Sequence, residues 1–227
     1  MKRRLPRGFY DRPTLEVARD LIGKVLVHHT PDGVASGVIV EAEAYIGEDD
    51  PACHAAAGLT KRSSVLYGRP GMAYVYFNYG MHCLVNAVTE AEGAPAAVLL
   101  RALDPLKGVE LMRRRRMALS RNGHEIARHS LCRGPGNLTR ALGITLEQNN
   151  TDLCGADLLV EDHGFLLEPI AWTPRVGISV GTDKPWRCVV AGHMAVSKAN
   201  VTRAHDSLRP PGPPRRTHGR RDRSRQV

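Results

Sequence analysis

Two glutamates, Glu41 and Glu43, stand two residues apart in the run GVIVEAEAY, and three tyrosines, Tyr74, Tyr76 and Tyr79, crowd into YVYFNYGMHCLVN further along. On an extended strand, carboxylates at i and i+2 share a face about 6.6 Å apart at Cα. Paired carboxylates at that sort of separation hydrolyse sugar glycosidic bonds; the plainer reading is a solvated strand face. The tyrosines pose a different question. The chain holds six tyrosines in all and its aromatic content is 5%, yet half of the tyrosines sit in this one segment. A packed core could use them, but leucine or valine would fill it without needing hydroxyl partners; the alternative is that flat rings are wanted for stacking. His54 lies in an acidic, small-residue loop after Tyr45, with no HxxxH or Cys/His cluster to complete a metal site. No metal is expected.

Weaker signals surround these. In RGPGNLTRAL, Gly134 and Gly136 open a helix whose backbone N–H groups can hold a phosphate. The run Arg113 to Arg116 faces four directions on a helix and reads as a solvated face, with one or two arginines free for phosphates. No lysine sits in an apolar run that would activate it as a nucleophile. Five scattered cysteines without a CxxC pair argue against a disulfide framework or a thiolate zinc site, and for a cytoplasmic protein with reduced thiols.

The net charge of +9 points to a polyanionic partner, but residues 201–227 hold eight arginines and two aspartates, leaving about +3 for the rest. That tail carries four prolines and almost nothing apolar, so it is expected to be disordered and to touch nucleic acid phosphates only weakly. No apolar run approaches the roughly 20 residues of a membrane span. The opening MKRRLPRGFYDRP lacks the apolar stretch of a secretory signal.

These candidates must be positioned by the elements around them. RPTLEVARDLIG reads as a helix closed by Gly23. KVLVHH and GVIVEAEAY read as a hairpin, with Val38, Val40, Ala42 and Ala44 on one face of the second strand and Ile39, Glu41, Glu43 and Tyr45 on the other. GMAYVYFNYGM, CLVNAVT and AAVLLRAL follow as strands, the last ending before DP. PLKGVELMRRRRMAL and the segment after GPG read as helices, SRNGHEIARHS is weakly patterned, and DLLVED, RVGIS and RCVVAG read as closing strands. Short strands mixed with helices, without βαβ alternation, predict an α+β fold. One mixed domain spans residues 1–200, with a curved, mainly antiparallel sheet flanked by helices.

Taken in order, VEAEAY, PACHA, MAYVYFNYGMHCLVN, VLLRALDP, CRGPGNLTRALGI, RVGI and KPWR resemble the alkyladenine (3-methyladenine) DNA glycosylases of the human and bacterial type, from about residue 8 to 200. The resemblance implies a monomeric, nucleoid-associated, bacterial-type repair enzyme that flips damaged purines out of double-stranded DNA and cuts the N-glycosidic bond, without metal or organic cofactor. It implies that Glu43 activates the attacking water. Tyr45, His54 and Tyr76 would sandwich the extruded base, Tyr79 would fill the gap in the duplex, Asn86 would disfavour the guanine amino group, and Arg101 would lie near the flipped nucleotide. Arg62, Gly134 and Gly136 match DNA-contacting segments. Glu41 matches no catalytic position, so its substitution is expected to cost little beyond modest stability.

The physics agrees with the match. Extruding a base costs a few kcal/mol, stacking on a ring returns about 1–3 kcal/mol, and an alkylated, cationic purine also gains cation–π attraction. Tyr76 and Tyr79, three apart, project differently if the chain turns at FNYG, while Tyr74 shares the Tyr76 face and is assigned to packing. Three motifs depart from the family pattern: Ser63 ends a TxRN-like segment, Asn137 replaces a lysine after GPG, and GHMAVSK replaces GNPxVSR. These departures bear on DNA affinity rather than on Glu43. A non-catalytic stacking module would leave Glu43 without a purpose, and a small-molecule nucleoside or sugar hydrolase would not need Tyr79.

Overall fold

The strand that carries both glutamates is the longest, and residues 35–44 within it are buried throughout. A run buried on both faces has to be covered on both sides and paired on both edges, and the remaining elements supply that cover. The computed structural model describes residues 2–78, 80–118 and 125–197. Its strands are β1 (Arg3–Arg4), β2 (Val25–Thr30), β3 (Gly33–Ile46), β4 (Ala73–Asn78), β5 (His82–Val88), β6 (Ala96–Lys107), β7 (Leu158–Asp162), β8 (Ile170–Thr173) and β9 (Arg187–Val190). Helices are α1 (Arg7–Tyr10), α2 (Thr14–Leu21), α3 (Val109–Met117) and α4 (Pro135–Leu142). The sheet order is β1-β7-β2-β3-β6-β5-β4, with β9 joined to β3 and β8, and every pairing is antiparallel. This is the expected α+β architecture.

The faces of β3 are not those of simple alternation. Its register with β6 pairs Ile39 with Leu103, Glu41 with Ala102 and Ala42 with Leu100, so the ladder skips Val40 on one strand and Arg101 on the other. Ala35, Ile39, Val40, Ala42 and Ala44 all join the main core, whereas Val38 packs with Val25, Val27 and Leu159 in a separate cluster. Ile39 and Val40 therefore serve the same core in succession. A one-residue slip sends every later side chain to the other face, so without the bulge Glu41 and Glu43 would point into that apolar core. The expected grouping of Val38 with Val40 fails for this reason.

Three other sequence expectations need correction. β6 does not stop before Asp104-Pro105 but runs on to Lys107, with Pro105 opposite Gly37 beside a second register shift, where a missing N–H is tolerated. RVGIS is not a strand; the strand is the preceding IAWT, and Arg175 to Ser179 form an irregular segment. The arginine run is not a solvated face. Arg113 donates to the Ile126 carbonyl (2.6 Å), Arg115 to the Leu142 carbonyl (2.8 Å) and Thr30 Oγ1 (2.7 Å), and Arg116 to the Ser130 and Leu131 carbonyls, while Arg114 is exposed. Much of SRNGHEIARHS, Tyr79 and the whole basic tail lie outside the described residues. Among the described residues no helix is long and apolar enough to cross a membrane.

Candidate active site

β3, β4 and β6 bring their chemistry-bearing side chains to one cavity of about 710 Å³, closed on its far side by the start of α4 and by residues 176–180. Tyr45, His54, Tyr76, Arg101, Gly134 and Gly136 all line it. Glu43 does not line it, but lies fully buried directly behind that wall. Its Oε2 accepts hydrogen bonds from the Tyr45 hydroxyl (2.9 Å) and Arg101 Nη1 (3.2 Å), and its Oε1 accepts from the Val176 N–H (2.7 Å). Those three donors all belong to cavity-lining residues. A carboxylate offers about four acceptor positions, so one remains, on Oε1. Burial pushes the Glu43 carboxyl above the ordinary carboxylate range, with Arg101, the Val176 amide and Tyr45 opposing it and Glu41 adding to it.

Glu41 differs sharply. Its Oε1 accepts from Arg101 Nε (2.9 Å) and Arg187 Nε (2.7 Å), and its Oε2 from the Ser197 N–H (2.8 Å) and the Ser197 hydroxyl (2.5 Å). Burial opposes its ionisation, yet Arg101, Arg187 and Ser197 together hold its carboxyl below the usual range. No acceptor position is left for a water. The i, i+2 glutamates share a face, as their spacing suggested, and also an arginine, but only Glu43 keeps an unoccupied acceptor position.

The ring residues form a connected set. His54 Nδ1 is 2.8 Å from the Tyr74 hydroxyl, and its ring meets Tyr76 edge-on with centroids 4.4 Å apart. Burial and the nearby Arg62 charge lower the His54 pKa to about 4, so the ring is neutral at physiological pH. Tyr74 is thus more than packing: it orients His54. Asn86 does not reach the large cavity. Its Nδ2 donates to the Tyr74 carbonyl (2.9 Å), and it borders a recess of about 30 Å³ behind Tyr45, His54 and Tyr76. Arg62 is exposed, its guanidinium 5.2 Å from the Tyr76 ring centroid.

Gly134 and Gly136 take their places for steric reasons. Gly134, with φ +88°, is the N-cap of α4, a conformation costly to residues with a Cβ. A Cβ on Gly136 would lie 2.7 Å from the His82 ring. α4 thereby backs the β4–β5 hairpin: Thr139 Oγ1 donates to the Cys83 carbonyl (2.6 Å) and Arg140 Nη2 to the Met81 carbonyl (3.1 Å). Among the described residues no group of three or more His, Cys, Asp or Glu side chains is placed to hold a metal ion.

A family model for the methylpurine-DNA glycosylases matches residues 8–194, which takes in every described residue lining the cavity. The chain belongs to that family. Relatives agree along most of their length. A Methanocella arvoryzae protein is 49% identical over 197 residues, covering 86% of this chain and 96% of its own. One from Prosthecochloris aestuarii is 45% identical over 199 residues (87% and 92%), and one from Rubrobacter xylanophilus 49% over 174 residues (76% and 86%). All three are provisionally named 3-methyladenine DNA glycosylase. As a family member the chain is a DNA repair glycosylase, a hydrolase of N-glycosyl bonds whose substrate is DNA.

In this glycosylase, sequence reasoning gave no role to Asp50, Arg175, Val176 or His82, although the last two border the cavity. Val176 acts through its backbone, for which no side-chain signal exists. Arg175 opens the RVGI run, but its partner Asp50 is 125 residues away.

Proposed function

We propose that this glycosylase removes 3-methyladenine-class purines from double-stranded DNA as a monomer, in the cytoplasm at the nucleoid, by base flipping and a single hydrolytic step. The observation that carries the reading is the unequal treatment of two adjacent buried glutamates. Glu41 is saturated by donors, whereas Glu43 keeps one acceptor position behind the cavity wall. A water held there loses its proton to Glu43 as its oxygen bonds to the sugar C1′, and the purine departs with the electron pair of the N-glycosidic bond. Tyr45 on one side and the His54–Tyr76 pair on the other provide stacking surfaces for the extruded base. Neutral His54 adds no positive charge against a cationic purine. Asn86, behind the rings, sets how much space the base edge finds. Arg101 bridges the two glutamates and faces the cavity where the flipped nucleotide enters. The backbone at Gly134 and Gly136, together with Arg62, meets phosphates around the site. The catalytic domain spans residues 1–200, and residues 201–227 are a basic appendage.

Incubation with methylated duplex DNA should release free 3-methyladenine and leave an abasic strand. Lesion-specific binding without any released purine would instead favour a non-catalytic stacking module, and cleavage of free nucleosides alone would favour a small-molecule hydrolase.

The β4–β5 hairpin turns between Asn78 and His82, a pair in register, as the FNYG motif suggested. Tyr79 lies between those two residues in the sequence, and we assign it to the vacated stack of the duplex. Tyr79→Ser should weaken binding to an abasic-site duplex and slow excision while the thermal midpoint stays unchanged. A fluorescent base reporter showing undiminished flipping in the variant would remove that role.

A further inference from the structure

Arg175 and Asp50 form an ion pair with both side chains wholly shielded from solvent, which the reading above does not use. The contact is bidentate, Nη1 to Oδ2 at 2.6 Å and Nη2 to Oδ1 at 2.8 Å. The remaining guanidinium hydrogen bonds reach the carbonyls of Ala44 (3.0 Å) and Gly181 (3.3 Å). Its flat face lies 4.6 Å from the Tyr45 ring centroid and 5.1 Å from that of Trp186. Asp50 in turn accepts from the N–H groups of Ile46 (3.3 Å) and Ala52 (3.2 Å). One charge pair thus ties together the end of β3, the 47–52 loop and the segment after β8. The next residue along from Arg175 is Val176, whose N–H reaches Glu43 at 2.7 Å and whose carbonyl accepts from Arg101 at 3.3 Å.

Burying an ion pair is expensive and seldom adds net stability over an apolar replacement. A planar fork that stacks and pairs at once gives orientation that lysine or a hydrocarbon cannot. We propose that Arg175 is a positioning residue for hydrolysis: clamped by Asp50, it seats the Val176 amide on the Glu43 carboxylate and fixes the Tyr45 ring. The proposal rests on the reading of Glu43 as the base. The ionisable groups facing Glu43 are Glu41 on its own strand, Tyr45, Arg101 from β6, Tyr76 from β4 and Arg175 itself. The Val176 amide is among the groups that favour the ionised carboxylate.

The test is the double substitution Arg175→Met with Asp50→Asn, which removes both charges together, so no lone charge stays buried and through-space effects on Glu43 largely cancel. Single-turnover excision of hypoxanthine should slow by up to about a hundredfold, the scale of a small misplacement of reacting groups. The acid limb of the rate–pH profile should move to higher pH, since the carboxylate loses an N–H donor, while affinity for an abasic-site duplex stays unchanged. Arg175→Lys keeps the charge and the Asp50 partner and loses the fork; it should shift the limb the same way with a smaller rate loss, and it decides the matter if the double variant does not fold. An unmoved acid limb, with or without a slower rate, overturns the proposal. Absence of excision by the unmodified protein, or an unaffected Glu43→Gln, would instead overturn the reading of Glu43, so the two failures are distinct.

Discussion

Glu43→Gln is expected to keep lesion binding and to slow release of hypoxanthine from duplex DNA by about a hundred- to ten-thousand-fold, the usual worth of a positioned general base. Glutamine preserves the shape and can still accept the Val176 N–H, but it cannot take a proton from water. Cationic 3-methyladenine, a better leaving group, should lose less. The same substitution should leave the thermal midpoint equal or higher. A carboxyl whose folded pKa is raised by burial contributes stability that is lost as pH rises through that pKa, so above it ionised Glu43 costs stability that glutamine does not. Sites of chemistry commonly carry such a cost. Full activity in Glu43→Gln, measured by single-turnover release of purine, would end the assignment.

Glu41→Gln should produce the largest loss of stability rather than of chemistry, about 3–5 kcal/mol by urea unfolding, because it strips the buried Arg187 of its counter-charge and leaves Arg101 with Glu43 alone. This exceeds the modest loss that the sequence suggested, since nothing local in VEAEAY shows that two arginines and Ser197 converge on one carboxylate. The sign of the pH dependence follows from the lowered carboxyl pKa: its contribution is present above the unfolded pKa and disappears as pH falls through the folded one. Unmodified protein should therefore lose stability on acidification more steeply than the variant. Below the unfolding transition, the folded Glu41→Gln protein should still excise purine. Equal inactivation by both substitutions, with the fold intact, would restore a paired-carboxylate mechanism, and an unchanged unfolding midpoint would contradict the structural role of Glu41.

The two predictions share one origin. Arg101 sits at the point where β6 skips a pairing, so its side chain reaches across β3 to both glutamates, its Nε on Glu41 and its Nη1 on Glu43. Both glutamates lie in the part of β3 bordered by β6 and β9. There Glu41 meets the side chains of Arg187 and Ser197, whereas Glu43, two residues nearer the strand end, abuts the irregular segment after β8 and gains a backbone donor in place of a second arginine. The strand supplies the same chemistry twice and the neighbours sort it into a structural and a reactive group.

The sequence by itself determined the α+β class, most of the strands and helices, the hairpin turn at FNYG and the family. These rest on hydrophobic period, turn residues and ordered motifs, all of which are local properties of the chain. It also brought Tyr45, His54, Tyr76, Arg101, Gly134 and Gly136 into a single hypothesis, and the tertiary structure gathers them round one cavity. What the sequence left equal, the fold decided. Glu41 and Glu43 are indistinguishable by spacing; hydrogen bonds from residues far along the chain separate them. Val38 was grouped with Val40 because strict alternation cannot register a bulge, and a bulge arises from how two strands fit rather than from either alone. The arginine run looked solvated because helical geometry sends its members in different directions, whereas carbonyls at the end of α4 and around residues 126–131 happen to meet three of them. The Arg175–Asp50 clamp spans 125 residues, and no local pattern records a partner at that distance: only chain packing brings the two charges together, because only there does each find the counter-charge that makes its burial tolerable.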